Sequence, residues 1–237
     1  MIKNTLVMVL FFALSLPGVS AQGVPSQTDN KWEVSGFFGF GGAGDDVFVT
    51  PVEEGTTQEV RLDLEQSYVL GLRITENFGQ YLGAELEYSF TNQPLLFQDL
   101  SPTLPFLALD HKVHKLAYSV LFYGMRRQNR IRPFGSIGFG TSFFQVSNNA
   151  QDDALRQGVD LKNRWKLAFS FGAGVKLRLA PGWGVRAEFR DQVTGVPDFG
   201  FPSQAPLLEG GGTGPGFRAD GVLHNWQTTV GFIYVFR

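Results

Sequence analysis

Eight charged side chains have the types and spacing to do chemistry together: Arg73, Glu85, Glu87, Lys176, Arg178, Arg186, Glu188 and Arg190. In two runs the charges alternate with apolar or aromatic residues: Ala84-Glu85-Leu86-Glu87-Tyr88 and Val185-Arg186-Ala187-Glu188-Phe189-Arg190. On an extended backbone this alternation puts the charges on one face. If that face is enclosed, the charges must pair, because an isolated buried charge is costly. Arg73 and Glu85 lie symmetrically about residues 77–80 and are candidate cross-strand partners. Lys176 lies close to Arg186 and Glu188 across Pro181. The spacing predicts an ion-pair network that plugs an enclosed lumen; separately hydrated charges along a narrow water path are the alternative.

Other reactive groups are sparse. The histidines are His111, His114 and His224, and no serine stands at a spacing that suggests a nucleophile beside any of them. Asp45-Asp46 and Asp152-Asp153 could hold a divalent cation or simply solvate loops. Gly210 to Gly214 is followed by no Lys-Ser or Lys-Thr pair, so it reads as a loop tip and not a phosphate cradle. There is no cysteine, which excludes a disulfide framework and a thiolate metal site. A net charge of −2 argues against nucleic acid as a partner. No cofactor, no metal and no enzyme activity are expected.

The charged face needs elements to hold it. Alternation recurs in eight segments: 32–41, 66–75, 81–91, 113–123, 131–144, 165–179, 183–192 and 225–237. The clearest sets Trp165, Leu167, Phe169, Phe171, Val175, Leu177 and Leu179 against Lys166, Ser170, Gly172, Gly174, Lys176 and Arg178. Connections at 76–80, 124–130 and 180–182 are short. Those at 42–65, 92–112, 145–164 and 193–224 are long. Short and long links alternate strictly, as an up-and-down barrel with short periplasmic turns and long outer loops requires. The fold expected is all-β: an eight-stranded antiparallel up-and-down transmembrane β-barrel. No apolar run reaches the length of a transmembrane helix, about 18 residues or more.

The two faces differ in kind. One is apolar, with Trp and Tyr near the strand ends, as lipid contact with aromatic girdles requires. The other mixes charges with Gly, Ser and Ala. A secreted β-sandwich would bury the apolar face and wet the charged one; the small residues beside the charges favour a crowded lumen. The start of the chain reads as a secretory signal peptide: Lys3, the apolar run Leu6 to Leu16, then Val19-Ser20-Ala21. The organisation expected is a cleaved signal peptide at 1–21, a short periplasmic segment at 22–31 and one barrel domain at 32–237.

Two outer connections are unusually apolar. Leu95, Leu96 and Phe97, with Leu104, Phe106 and Leu107, form a candidate interaction patch. Pro197 to Leu208 repeats the character with Phe199, Phe201, Leu207 and Leu208. The alternative is that the strands continue past the bilayer and the outer segments pack on one another.

With the eight amphipathic segments and the leader, Arg132-Pro133-Phe134-Gly135-Ser136-Ile137-Gly138-Phe139-Gly140 and the closing Val230 to Arg237 resemble small bacterial outer-membrane barrels of the OmpA-like and OmpW-like kind. The resemblance covers the whole region after the leader. It implies a Gram-negative outer-membrane location, contact with outer-membrane lipid and lipopolysaccharide, and insertion by the barrel-assembly machinery. That machinery usually reads a terminal aromatic residue; here Phe236 is followed by Arg237. For such a barrel, with no cofactor, a structural or surface-interaction role carried by the extracellular loops is expected, for a surface ligand not specified. Two alternatives stay open: a narrow porin-like channel for small solutes, hydrophobic ones included, and an enzyme modifying lipid A.

Overall fold

A computed structural model describes residues 32–43, 48–53, 56–57, 60–64, 67–101, 104–156, 160–200, 217–219 and 221–236. The expected leader and the segment 22–31 lie outside the described residues, as do Asp45-Asp46 and Gly210 to Gly214.

The strands are β1 (Trp32–Ala43), β2 (Phe48–Glu53), β3 (Thr56–Thr57), β4 (Val60–Leu64), β5 (Ser67–Phe78), β6 (Leu82–Ser101), β7 (Leu104–Tyr123), β8 (Ile131–Val146), β9 (Arg164–Ala180), β10 (Trp183–Gly195), β11 (Phe217–Ala219) and β12 (Val222–Phe236). A helix, α1, spans Asn148–Arg156. Eight strands close a ring, each antiparallel to its neighbours: β1, β5, β6, β7, β8, β9, β10 and β12. Closure comes from β1 against β12, in a register running from Trp32 opposite Phe236 to Ala43 opposite Asn225. A closed ring pairs every backbone group and leaves no edge, which is what a strand-based membrane span needs.

Period-two alternation dictates the two faces. Leu167 is 85% exposed and Phe139 68%, while Arg73 and Glu85 are each 1% exposed. Charged side chains are enclosed and large apolar ones face outward, the reverse of a soluble sandwich. The short turns, with Gly79 at φ +62° and Gly182 at φ +80°, sit at the same end as Trp32 and Phe236. That end is the periplasmic one by the loop-length rule.

The outer end departs from the expected loops. Segment 92–112 is not a loop: β6 and β7 continue as one paired hairpin out to Ser101 and Leu104. The backbone polar groups of that apolar stretch are thereby satisfied by pairing. Segment 42–65 carries β2, β3 and β4, with Leu62 of β4 opposite Phe97 of β6. Segment 145–164 carries α1, capped by Ser147, whose hydroxyl accepts from the Ala150 amide at 3.3 Å. Inward-facing Phe144 meets Phe199 edge-on at 6.2 Å, and the Lys162 amide donates to the Phe199 carbonyl at 2.7 Å. Val146, Leu161, Val196 and Leu223 are buried with them. Phe199 holds a positive φ of 46°, a conformation a bulky side chain adopts only when its surroundings fix it.

Candidate functional site

Alternation along β5, β6 and β10 aims three arginines and three glutamates into one layer of the lumen. Arg73 Nε lies 2.5 Å from Glu87 Oε2 and 3.8 Å from Glu85 Oε1, and its Nη2 lies 2.9 Å from Glu188 Oε2. Arg186 grips Glu85 with both terminal nitrogens, the Nη2 bond being 3.0 Å, and reaches Glu188 Oε2 at 2.9 Å. Arg190 reaches Glu85 and Glu188 at 2.9 Å each and Glu87 at 3.2 Å. Thr75 donates to Glu85 at 2.8 Å, and Gln227 donates to Glu87 at 3.0 Å. Every member is at most 4% exposed.

The three carboxylates lie within 4.8 Å of one another, a spacing a metal ion accepts. Here three guanidiniums already occupy that space. The charges are equal in number, and bidentate contacts add direction to charge.

A second group lies nearer the turns. Lys176 Nζ contacts Glu33 Oε2 at 2.5 Å and donates to the Tyr123 hydroxyl at 2.8 Å. Asn77 donates to Glu33 at 2.8 Å, and Arg132 donates to Asn77 at 3.4 Å. Aromatic rings line the guanidiniums: Phe37 under Arg73 at 3.6 Å, Tyr123 under Arg132 at 3.6 Å and Phe134 under Arg186 at 4.4 Å.

A model of the outer membrane protein beta-barrel domain matches residues 11–233. The chain belongs to that family. The barrel is therefore a bacterial outer-membrane protein. Among solved structures, the fold is similar to the outer membrane protein OprG from Pseudomonas aeruginosa, at 18% identity, 88% coverage of this chain and 97% of that one, with a TM-score of 0.56. It is similar to Neisserial surface protein A, at 10% identity, 86% and 97% coverage and a TM-score of 0.53. The outer membrane protein AlkL in lipid bilayers matches at 14% identity, 91% and 96% coverage and a TM-score of 0.53. Identities this low speak for the fold alone. No curated protein matches the sequence.

Of the eight charges singled out in the sequence, six meet in the central layer: Arg73, Glu85, Glu87, Arg186, Glu188 and Arg190. Lys176 belongs to the second group, where its partner is Glu33 and not Glu188. Arg178 is outside both groups. It is exposed at the end of β9 and donates to the carbonyls of Arg127 and Gln128. For Arg73 the near carboxylate is Glu87, directly opposite in register, while Glu85 stands opposite Thr75. Glu33, Phe37, Asn77, Tyr123 and Phe134 complete the lumen without having been singled out. Adjacent aromatics were the available signal: Phe37-Phe38 and Phe122-Tyr123 each put one ring on either face.

The patch Leu95, Leu96, Phe97, Leu104, Phe106 and Leu107 lies on the outer hairpin, in which Leu96 is opposite Ala108 and Phe97 opposite Leu107. Its side chains, and that of His111, lie outside the described residues. His114 faces outward in an aromatic belt, with its Nδ1 2.8 Å from the Tyr88 hydroxyl and Phe90 at 5.1 Å. His224 Nδ1 lies 2.7 Å from Asp191 Oδ2. Among the described residues, neither histidine hydrogen-bonds a serine. Asp152 is exposed on α1, and the Asp153 side chain lies outside the described residues.

Proposed function

We propose that this protein is a sealed outer-membrane barrel with a structural or surface-interaction role carried by its extracellular segments. The observation that carries the reading is the closed layer of Arg73, Arg186 and Arg190 with Glu85, Glu87 and Glu188 across the lumen. An eight-stranded barrel is just filled by its own side chains, and here those side chains are bonded to one another. Phe144 and Phe199 support a second closure at the outer end. Planar-bilayer recording tests the reading, with folding verified by the heat-dependent gel shift of small barrels. A silent bilayer is expected; reproducible steps lost on boiling would overturn it.

One observation favours the narrow channel as a second reading. Beyond the ion-pair layer the lumen stays polar. Ser89, Lys115 and Ser142 face inward as a row across β6, β7 and β8, and the two hydroxyls have no hydrogen-bond partner among the described residues. A hydrated vestibule would suit that row. The reading assigns no catalysis to His114 or His224. Lipid A should be unchanged by mass spectrometry after overexpression, and a modified species lost in His224→Ala would contradict this. Removal of residues 1–21 during export is part of the same proposal. An intact mass corresponding to Gln22 as the first residue is expected.

A further inference from the structure

Five arginines gather where β7, β8 and β9 meet the periplasmic end. Arg126, Arg127 and Arg130 lie in the 124–130 turn, Arg132 is the second residue of β8, and Arg178 is near the end of β9. Several of their bonds fix the turn. Arg178 Nη2 donates to the Arg127 carbonyl at 2.5 Å, and its Nη1 donates to the Gln128 carbonyl at 3.2 Å. The Arg127 amide donates to Gln80 Oε1 at 3.3 Å, Arg132 donates to the Gln80 carbonyl at 3.4 Å, and Arg126 donates to the Tyr81 hydroxyl at 3.3 Å. All these acceptors are neutral. Among the described residues, no salt bridge joins any of the five arginines to a carboxylate, although the lumen beside them pairs its charges closely.

The cationic groups crowd one another. Burial pulls the Arg127 guanidinium below its ordinary value; Glu33 opposes this, and Arg132 and Arg178 add to it. Arg127 Nη2 and Arg132 Nε are buried without a hydrogen-bond partner among the described residues. Directly beyond the turn, on the lipid-facing surface, stand exposed Tyr81, Ile131, Leu179 and Trp183. An apolar and aromatic belt ending in guanidiniums that meet no carboxylate among the described residues matches the boundary between acyl chain and headgroup. Guanidinium forks suit phosphate oxygens, and clustered basic residues at a membrane surface attract anionic lipid.

We propose that this turn binds the phosphate headgroups of anionic phospholipid in the periplasmic leaflet. Arg126 and Arg130, exposed in the turn itself, touch the phosphate, and Arg178, exposed beside it on β9, holds the turn that presents them.

The test uses the purified, folded protein in bilayer discs made of equal parts phosphatidylglycerol and phosphatidylcholine. Lipids that stay with the protein after gentle detergent extraction are counted by native mass spectrometry. Phosphatidylglycerol should be enriched by about fivefold or more for the wild type, and Arg126→Gln/Arg130→Gln should return it toward the bulk ratio. Both sites are exposed, and the heat-dependent gel shift verifies that the variant folds. Equal enrichment in wild type and variant, or none in either, overturns the proposal. Binding of inorganic phosphate in detergent, with no preference between the two lipids, overturns the lipid assignment.

Discussion

Glu87 accepts from Arg73 and Gln227 and faces Arg190 at 3.2 Å, so its loss leaves two guanidiniums short of a partner in a closed lumen. Breaking a buried ion pair from one side costs about 3–5 kcal/mol. Glu87→Ala should lower the unfolding free energy by that order, read by urea unfolding of the folded barrel in lipid vesicles. Arg73→Ala made in the Glu87→Ala background should cost less than Arg73→Ala alone, because one of the carboxylates it would strand is already gone and two arginines then face two glutamates. Strictly additive losses would show that the two do not act as a pair. The residue types of this layer were legible in the sequence, because alternation separates charges from lipid-facing side chains. The partners were not. Residues 79–81 form the tight turn, so Arg73 falls opposite Glu87, one inward position further from the turn than Glu85. Contacts across the lumen, such as Arg186 with Glu85, join strands far apart in the chain and leave no local trace.

The elements carry the same layer through the space they leave. A Cβ built on Gly71 would lie 2.2 Å from Phe37 Cζ, and one on Gly174 would lie 2.6 Å from Phe134 Cζ. Those two rings lie under Arg73 and Arg186. Glycine therefore makes room for the aromatic floor of the ion-pair layer. Overpacking a tight interior costs about 1–3 kcal/mol, which is the expected loss for Gly174→Val. Gly135→Ala, whose Cβ would meet nothing closer than the Gly172 carbonyl at 3.9 Å, should stay within about 0.5 kcal/mol of wild type. Urea midpoints of the two variants in the same vesicles decide this. The membrane portions of all eight ring strands follow from period-two alternation and the short turns. The outer extension of β6 and β7 does not, because beyond the bilayer neither face must be apolar and the alternation lapses, as in Pro94-Leu95-Leu96-Phe97. Residues 95–109 lie in that extension, beyond the Thr91–Val113 pairing. Their deletion should leave the heat-dependent gel shift intact; a chain that no longer shifts would place the hairpin within the folding unit of the ring.

At the scale of the whole molecule, closure and loop length together fix an orientation. An even number of antiparallel strands brings β1 and β12 together, with Trp32 at the start of β1 and Phe236 at the end of β12 on the short-turn side. The short turns belong to the periplasm, which puts the 124–130 turn inside and α1 outside. The natural sequence contains no cysteine, so single introduced thiols report position without background. Asp152→Cys on exposed α1 should react in intact cells with a polymer-linked maleimide too bulky for outer-membrane pores. Gln128→Cys, equally exposed in the turn, should react only after the outer membrane is permeabilised. The reagent cannot reach Gln128 through the barrel itself, because the ion-pair layer stands between the two ends. Labelling of Gln128→Cys in intact cells, with Asp152→Cys silent, would invert the barrel. The arginine turn would then meet the lipopolysaccharide leaflet, and the phospholipid site would fall with the orientation that places it.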